Sequence, residues 1–223
     1  MKWMGVKPRT VVHVGAHLAQ DQAQYDLLGV REVFWCEADA ECVRIIQERY
    51  PHCRTVQGAF WSEVNKEIDF WLMKDRAQNS AFRPRDIADL RGKVPMFTTT
   101  LDKEFMNCAL QRPIMLVLDV QGAELHVLKG AKHVLTRVDF LVCEITEESS
   151  IADFSVRESQ VVEVLKSYKF VPRLRRNSHN GEYFDLMFVR KGFLRTLRIM
   201  FFDLLGVAIA KLKNRAKEKG KEV

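Results

Sequence analysis

The chain has 223 residues, 47% of them apolar, with 35 Lys and Arg against 29 Asp and Glu. It is long enough to bury a substantial core, and it suits one large domain with an appendage better than two small domains. The formal charge of +6 does not mark a nucleic-acid groove, because residues 190–223 alone hold ten basic and three acidic side chains and leave the body nearly balanced.

Cys36, Cys42, Cys53, Cys108 and Cys143 show no C-x-x-C spacing, which points away from a disulfide framework or a zinc site. With no leader pattern ahead of them, they suit a reducing cytoplasm, with Cys36 and Cys143 as small hydrophobes inside strands.

In chain order, Thr10 to Val14 predicts a strand, Gln20 to Leu28 a helix, and Val33 to Cys36 a second strand ending at Glu37. A helix from Ala40 to Tyr50, stopped by Pro51, precedes a third strand at Cys53 to Gln57, and "EIDFWL" (67–72) alternates like a half-exposed strand or hairpin arm. Residues 74–96, with Pro84, Gly92 and Pro95, read as the longest irregular segment, of the kind that covers a ligand. The run "IMLVLDV" (114–120) predicts a central strand buried on both faces and ending at Asp119. Next come a helix from Ala123 to Leu135 with Leu125, Leu128 and Val134 inward, and a strand "FLVCEI" (140–145). A helix from Val156 to Ser167 and strands at Phe170 to Leu174 and Tyr183 to Val189 close the body. This order argues for a mostly parallel sheet with helices on both faces.

Three predicted strands end in acids, Glu37, Asp119 and Glu144, at the sheet edge where α/β folds hold ligands. A carboxylate about twenty residues past the first turn accepts the ribose hydroxyls of NAD or of S-adenosylmethionine (SAM) equally well. The turn separates the two. A dinucleotide needs G-x-G-x-x-G to cradle its pyrophosphate, whereas "GAHLAQD" offers only Gly15, and Asp21 would repel phosphate. SAM carries a sulfonium cation and no phosphate, so the turn favours it over NAD.

The segments "VGAHLAQ", "WCEAD", "TTTLDKEF", "LDVQGAELHVLKGA" and "VCEI" together resemble the successive motifs of the FkbM family of SAM-dependent methyltransferases, over about residues 10–146. The family's usual forms are D-V-G-A-N-x-G, F-E-P, T-x-L-D and D-V-E-G-A-E-x-x-V-L-x-G-A. The resemblance implies a class I methyltransferase fold, a Rossmann-like three-layer sandwich with a mostly parallel seven-stranded sheet and a final antiparallel strand. It implies O-methylation of a saccharide, glycan or similar polyol. It sets Gly15 and Ala16 against the methionine part of the cofactor, Glu37 on the ribose, Ala59 beside the adenine, and Asp119 and Glu124 toward the methyl-transfer centre, with His17 and Asp119 also expected among the cofactor contacts. The departures are His13 for Asp, His17 for Asn, Ala19 for Gly and Gln121 for Glu.

Methyl transfer to a hydroxyl needs a positioned nucleophile and a base to remove its proton. Asp119 is the first candidate base because a buried strand fixes its place. His17 is a second. Glu124 reads either as a base or as an acid that stabilises a helix N-terminus. His126 and His133 read as helix-surface residues with no role, and a divalent cation on Asp119, Glu144 and Glu147 is the less favoured option.

The body is expected to span 1–191 and a basic amphipathic helix 192–223. The apolar stripe of that helix would dock on the body or a second subunit, or residues 193–215 would lie on the inner face of a membrane. The alternative function is a methyltransferase-like protein without chemistry that acts through this tail.

Overall fold

The computed structural model describes residues 7–146, 156–177 and 183–193. In chain order these form β1 (Thr10–Val14), α1 (Gln22–Leu28), β2 (Glu32–Glu37), α2 (Ala40–Arg49), β3 (Arg54–Gln57), β4 (Ala59–Phe60) and β5 (Glu67–Met73). There follow β6 (Leu90–Thr99), α3 (Leu101–Phe105), β7 (Ile114–Leu118), α4 (Glu124–Lys129), β8 (Phe140–Ile145), α5 (Glu158–Ser167), β9 (Phe170–Asn177) and β10 (Phe184–Arg190).

The apolar runs of β1, β7 and β8 are buried along their whole length, as strands covered on both faces must be. They sit at the centre of a seven-stranded sheet of order β3-β2-β1-β7-β8-β10-β9, in which β10 alone runs antiparallel to its neighbours. Alternation sends Val12, Val14, Leu116, Leu118 and Leu141 to one face, packed with Leu128 of α4 and Val161 and Leu165 of α5. Val11, Trp35, Met115 and Val142 point the other way, onto Tyr25 of α1 and Ile46 of α2. The result is a three-layer α/β arrangement with a mostly parallel seven-stranded sheet and an antiparallel strand near its end, as the resemblance implied.

Two predicted segments differ. Residues 90–96 are not irregular: they belong to β6, which pairs antiparallel with β5 and, through Thr98 and Thr99, parallel with β4 in a separate three-stranded sheet. Pro95 fits because β4 reaches only Thr98 and Thr99, leaving that stretch of β6 unpaired on one side.

The helix predicted from Ala123 to Leu135 is broken. α4 stops at Lys129, and a separate 3-10 turn covers Val134–Thr136. A Cβ on Gly130 would lie 2.0 Å from the carbonyl oxygen of Trp61, so this close approach requires glycine and diverts the chain. The second piece is then started by Asp102, whose carboxylate accepts from the amides of His133 and Val134 at 2.9 Å each. Leu128 and Val134 are buried as expected, joined by Val127, while Leu125 is only partly covered.

The tail reading beyond Phe193 lies outside the described residues. Among those described, no helix is long and apolar enough to cross a membrane.

Candidate active site

The carboxyl ends of β1, β2, β7 and β8 open onto a cavity of about 520 Å³, within the size range of small-ligand sites. Its floor is the turn after β1. Gly15 adopts φ 86°, and a Cβ there would sit 1.6 Å from the carbonyl oxygen of Asp119, so two independent constraints demand glycine. The amides of Gly15 and Ala16 both donate to the Cys36 carbonyl, at 2.9 and 3.1 Å, which pins the turn to the end of β2. His17 and Ala19 are also left-handed, with φ of 46° and 55°, at a cost near 1 kcal/mol each.

Glu37 ends β2 and is almost fully enclosed. Its Oε2 accepts from the His17 amide at 2.7 Å, and its Oε1 from the amides of Ala38 and Asp39 at 2.8 and 2.9 Å. Burial pushes its carboxyl up to about 7 against the pull of those three amides. Burial also holds the His17 imidazole below its usual range, with nearby Asp75 and Asp39 opposing. On β1, His13 Nδ1 lies 2.9 Å from the Tyr25 hydroxyl, and its ring packs on Trp35. Burial lowers His13 to about 3, so the ring is neutral.

Asp119 follows β7 and Glu144 lies in β8, and both face the cavity. Burial raises both carboxyls, and mutual repulsion together with Asp185 raises Glu144 the further. Glu124 is placed differently. It does not line the cavity, and its Oε1 accepts from the amides of Val120 and Gly122 at 3.0 and 3.3 Å, closing the turn ahead of α4. These bonds satisfy two backbone amides at the start of α4, the kind of contact its structural reading calls for.

The opposite wall comes from the segment between β5 and β6. Residues 75–79 and Ala81 line the cavity, together with Ala59, Phe60 and Trp61. This strap is latched to the sheet at two points. The buried Asp39 takes Arg76 Nη1 at 2.5 Å and Asn79 Nδ2 at 3.0 Å on its Oδ2, while its Oδ1 caps α2 through the Glu41 amide at 2.9 Å. Ser80 Oγ donates to the carbonyl of Gln121 at 2.9 Å.

Sequence reasoning missed Asp39, Arg76 and Asn79. The helix-capping position of Asp39 was readable; its partners nearly forty residues on were not. His126 is also no bare surface residue: its ring stacks on Trp61 at 3.7 Å. His133 is exposed, as expected.

Among the described residues lining the cavity, Asp21, Glu37, Asp75, Asp119 and Glu144 are carboxylic acids, and Arg76 is the one permanent cation. Such a wall attracts a cation and repels a pyrophosphate. No group of three metal-ligating side chains occurs among the described residues, and Glu147 lies outside them.

The pattern described as the methyltransferase FkbM domain matches residues 13–174. Among solved structures, a ribosomal protein L11 methylase from Lactobacillus delbrueckii subsp. bulgaricus is 14% identical, over 83% of this chain and 72% of its own, with TM-score 0.45. Magnesium protoporphyrin IX methyltransferase from Synechocystis PCC 6803, with bound SAM, is 10% identical over 81% and 69%, with TM-score 0.43. The fibrillarin pre-rRNA processing protein of Methanococcus jannaschii is 8% identical over 86% and 70%, with TM-score 0.48. Identities this low say nothing about substrate. No curated protein matches the chain.

Proposed function

The chain belongs to the FkbM methyltransferase family and is a SAM-dependent methyltransferase, and from that premise we propose that it methylates a hydroxyl of a saccharide, glycan or similar polyol. The observation that carries the cofactor half is the cavity itself. A strand-end carboxylate is fixed by three backbone amides, opposite a floor that has a single glycine and lacks a phosphate cradle.

The residues present fit SAM. Glu37 would take the ribose hydroxyls, Gly15, Ala16 and His17 would line the methionine part, and Ala59 would leave room for the adenine. The acids of the cavity would face the sulfonium. When bound, the cofactor supplies an electrophilic methyl group. Asp119 is the base we propose for the acceptor hydroxyl, since of the two raised carboxyls it is the less raised and so the more ionised near neutral pH. Glu144 lies beside it on the same wall and shares the Gln121 amide with it. The strap forms the wall opposite these acids.

The acceptor class rests on the family resemblance and on the polar lining of the cavity. We place the reaction in the cytoplasm, with a small molecule or glycan as partner rather than nucleic acid. Membrane contact or dimerisation through 193–215 stays a proposal made on sequence alone.

Calorimetric titration with SAM tests the cofactor site. Micromolar binding is expected, falling about 10- to 100-fold in Glu37→Ala as hydrogen bonds to a charged group are lost. Incubation with methyl-labelled SAM and panels of saccharides, small amines and peptides then tests the acceptor. Label on a saccharide oxygen supports the reading, and label confined to nitrogen or to protein overturns it.

A further inference from the structure

Gln121 stands where the two walls of the cavity meet. Its side-chain Nε2 donates to Asp119 Oδ1 at 3.0 Å and to Glu144 Oε1 at 3.2 Å, while its backbone carbonyl receives the Ser80 hydroxyl of the strap. Its φ of 49° is left-handed, so the backbone is held in a conformation that a glutamine does not choose for itself.

The two carboxyls belong to a row across the sheet. Leu118 pairs with Cys143, which makes Asp119 and Glu144 the next neighbours; Glu144 pairs with Asp185, and Asp185 with Arg176. Asp21 and Tyr25 act on this row from the α1 side, Glu124 from α4, and Tyr183 from ahead of β10. Arg176, at the far end, is the cation of the row and acts on Asp21, Asp185 and Tyr183. Packed acids of like sign repel, and the group that Asp119 and Glu144 share as a donor is the Gln121 amide.

We propose that Gln121 is a positioning residue of the cofactor site, whose amide clamps Asp119 and Glu144 side by side and favours their ionised form, so that the pair presents negative charge to the sulfonium. This rests on the SAM reading above. A hydrogen bond donated to a carboxylate favours its charged form, and two interacting carboxyls titrate as a unit. The clamp lowers both groups against burial and repulsion. A structural glutamine would support any ligand of this shape equally. An electrostatic clamp separates SAM from S-adenosylhomocysteine, which has the same shape but no charge on sulfur.

The test is calorimetric titration of the full chain and its Gln121→Ala, Gln121→Asn and Gln121→Glu variants with both ligands, over about pH 6 to 9. In the parent protein the preference for SAM rises with pH as the pair loses its proton. In Gln121→Ala the midpoint of that rise moves up by about one pH unit, and the preference at pH 7 falls about tenfold. Gln121→Glu, which replaces the donor with another carboxyl, moves the midpoint further.

Asparagine tolerates left-handed backbone, so Gln121→Asn, with its amide one methylene short, gives the same direction of change should the alanine variant not fold. Folded variants that weaken both ligands in proportion, or keep the parent's pH midpoint, overturn the proposal. A parent protein that binds neither ligand overturns the cofactor reading with it. One that binds both while the variants keep its preference overturns this inference alone.

Discussion

The two walls of the cavity are built in opposite ways. The sheet wall is made of strand ends: Gly15, Glu37, Asp119 and Glu144 are held by parallel strands buried on both faces, and their positions follow from the ladder. The strap wall, residues 75–81, has one short 3-10 turn; a single backbone bridge between Ser80 and Trp71 ties it to β5, and side chains tie it to the large sheet, chiefly Arg76 and Asn79 on Asp39 and Ser80 on Gln121. A wall held by a ladder is rigid and hard to alter; a wall tied to the sheet mainly by side-chain hydrogen bonds is adjustable. That contrast suits a site that grips one cofactor and admits a particular acceptor.

The contrast breaks most completely at Gly15. Gly15→Ala forces a Cβ into the Asp119 carbonyl, and overpacking combined with a left-handed backbone is expected to cost about 3 kcal/mol or more and abolish SAM binding. Urea denaturation and calorimetry measure both losses.

The sheet wall, with the turn that Glu124 closes behind it, also carries the burden of pH. Glu37 and Glu124 have their folded carboxyls raised to about 7 from an ordinary value of 4.5, so the folded protein holds those protons longer than the unfolded chain. Stability therefore drops as pH rises from 4.5 through 7, and Glu144, raised further, extends the decline. His13 acts in the other direction: lowered to about 3 from 6.5, it gives stability that is lost as pH falls below 6.5. The melting temperature of the cofactor-free protein should thus fall steadily above pH 6.5, and saturating SAM should recover part of the drop. A flat profile above pH 6.5 would show that these carboxyls are not held as described.

On the strap side, Asp39→Ala strands Arg76 and Asn79 and uncaps α2, for an expected loss of about 2 kcal/mol. Hydrogen exchange sharpens the comparison, because amides around 75–80 should exchange faster while those of β1 and β7 keep their protection. The smallest effect is expected at Ser80→Ala, about 1 kcal/mol, with faster exchange confined to residues near the Phe82 amide that Ser80 Oγ also receives.

The same contrast separates what was legible from what was not. Apolar runs predicted β1, β7 and β8 closely, and strand-end acids marked Glu37, Asp119 and Glu144, because burial on both faces leaves a local trace in composition. The glycine at 130 was itself a warning against a continuous helix to Leu135, since glycine costs about 1 kcal/mol inside one. Its cause, the Trp61 carbonyl packed against it, had no local trace. The polarity of residues 74–96 suggested a loop, yet β6 there needs no apolar face because Arg91 and Lys93 to Pro95 are exposed and hold their place by the ladder with β5. His126 looked free because Trp61, on which it stacks, lies far away in the chain.

By itself, then, the amino-acid order determined the central parallel strands, the single-glycine turn that disfavours a pyrophosphate, and the family motifs that name the cofactor. Each of these is written within a few neighbouring residues, where periodicity and backbone freedom act. The tertiary structure alone decided that Glu124 closes a turn, that Asp39 latches the strap, and that one glutamine amide reaches two carboxyls at the ends of different strands. Those outcomes depend on which distant groups come within about 3 Å of one another, and hydrogen bonds and electrostatic repulsion act on that distance rather than on separation along the chain.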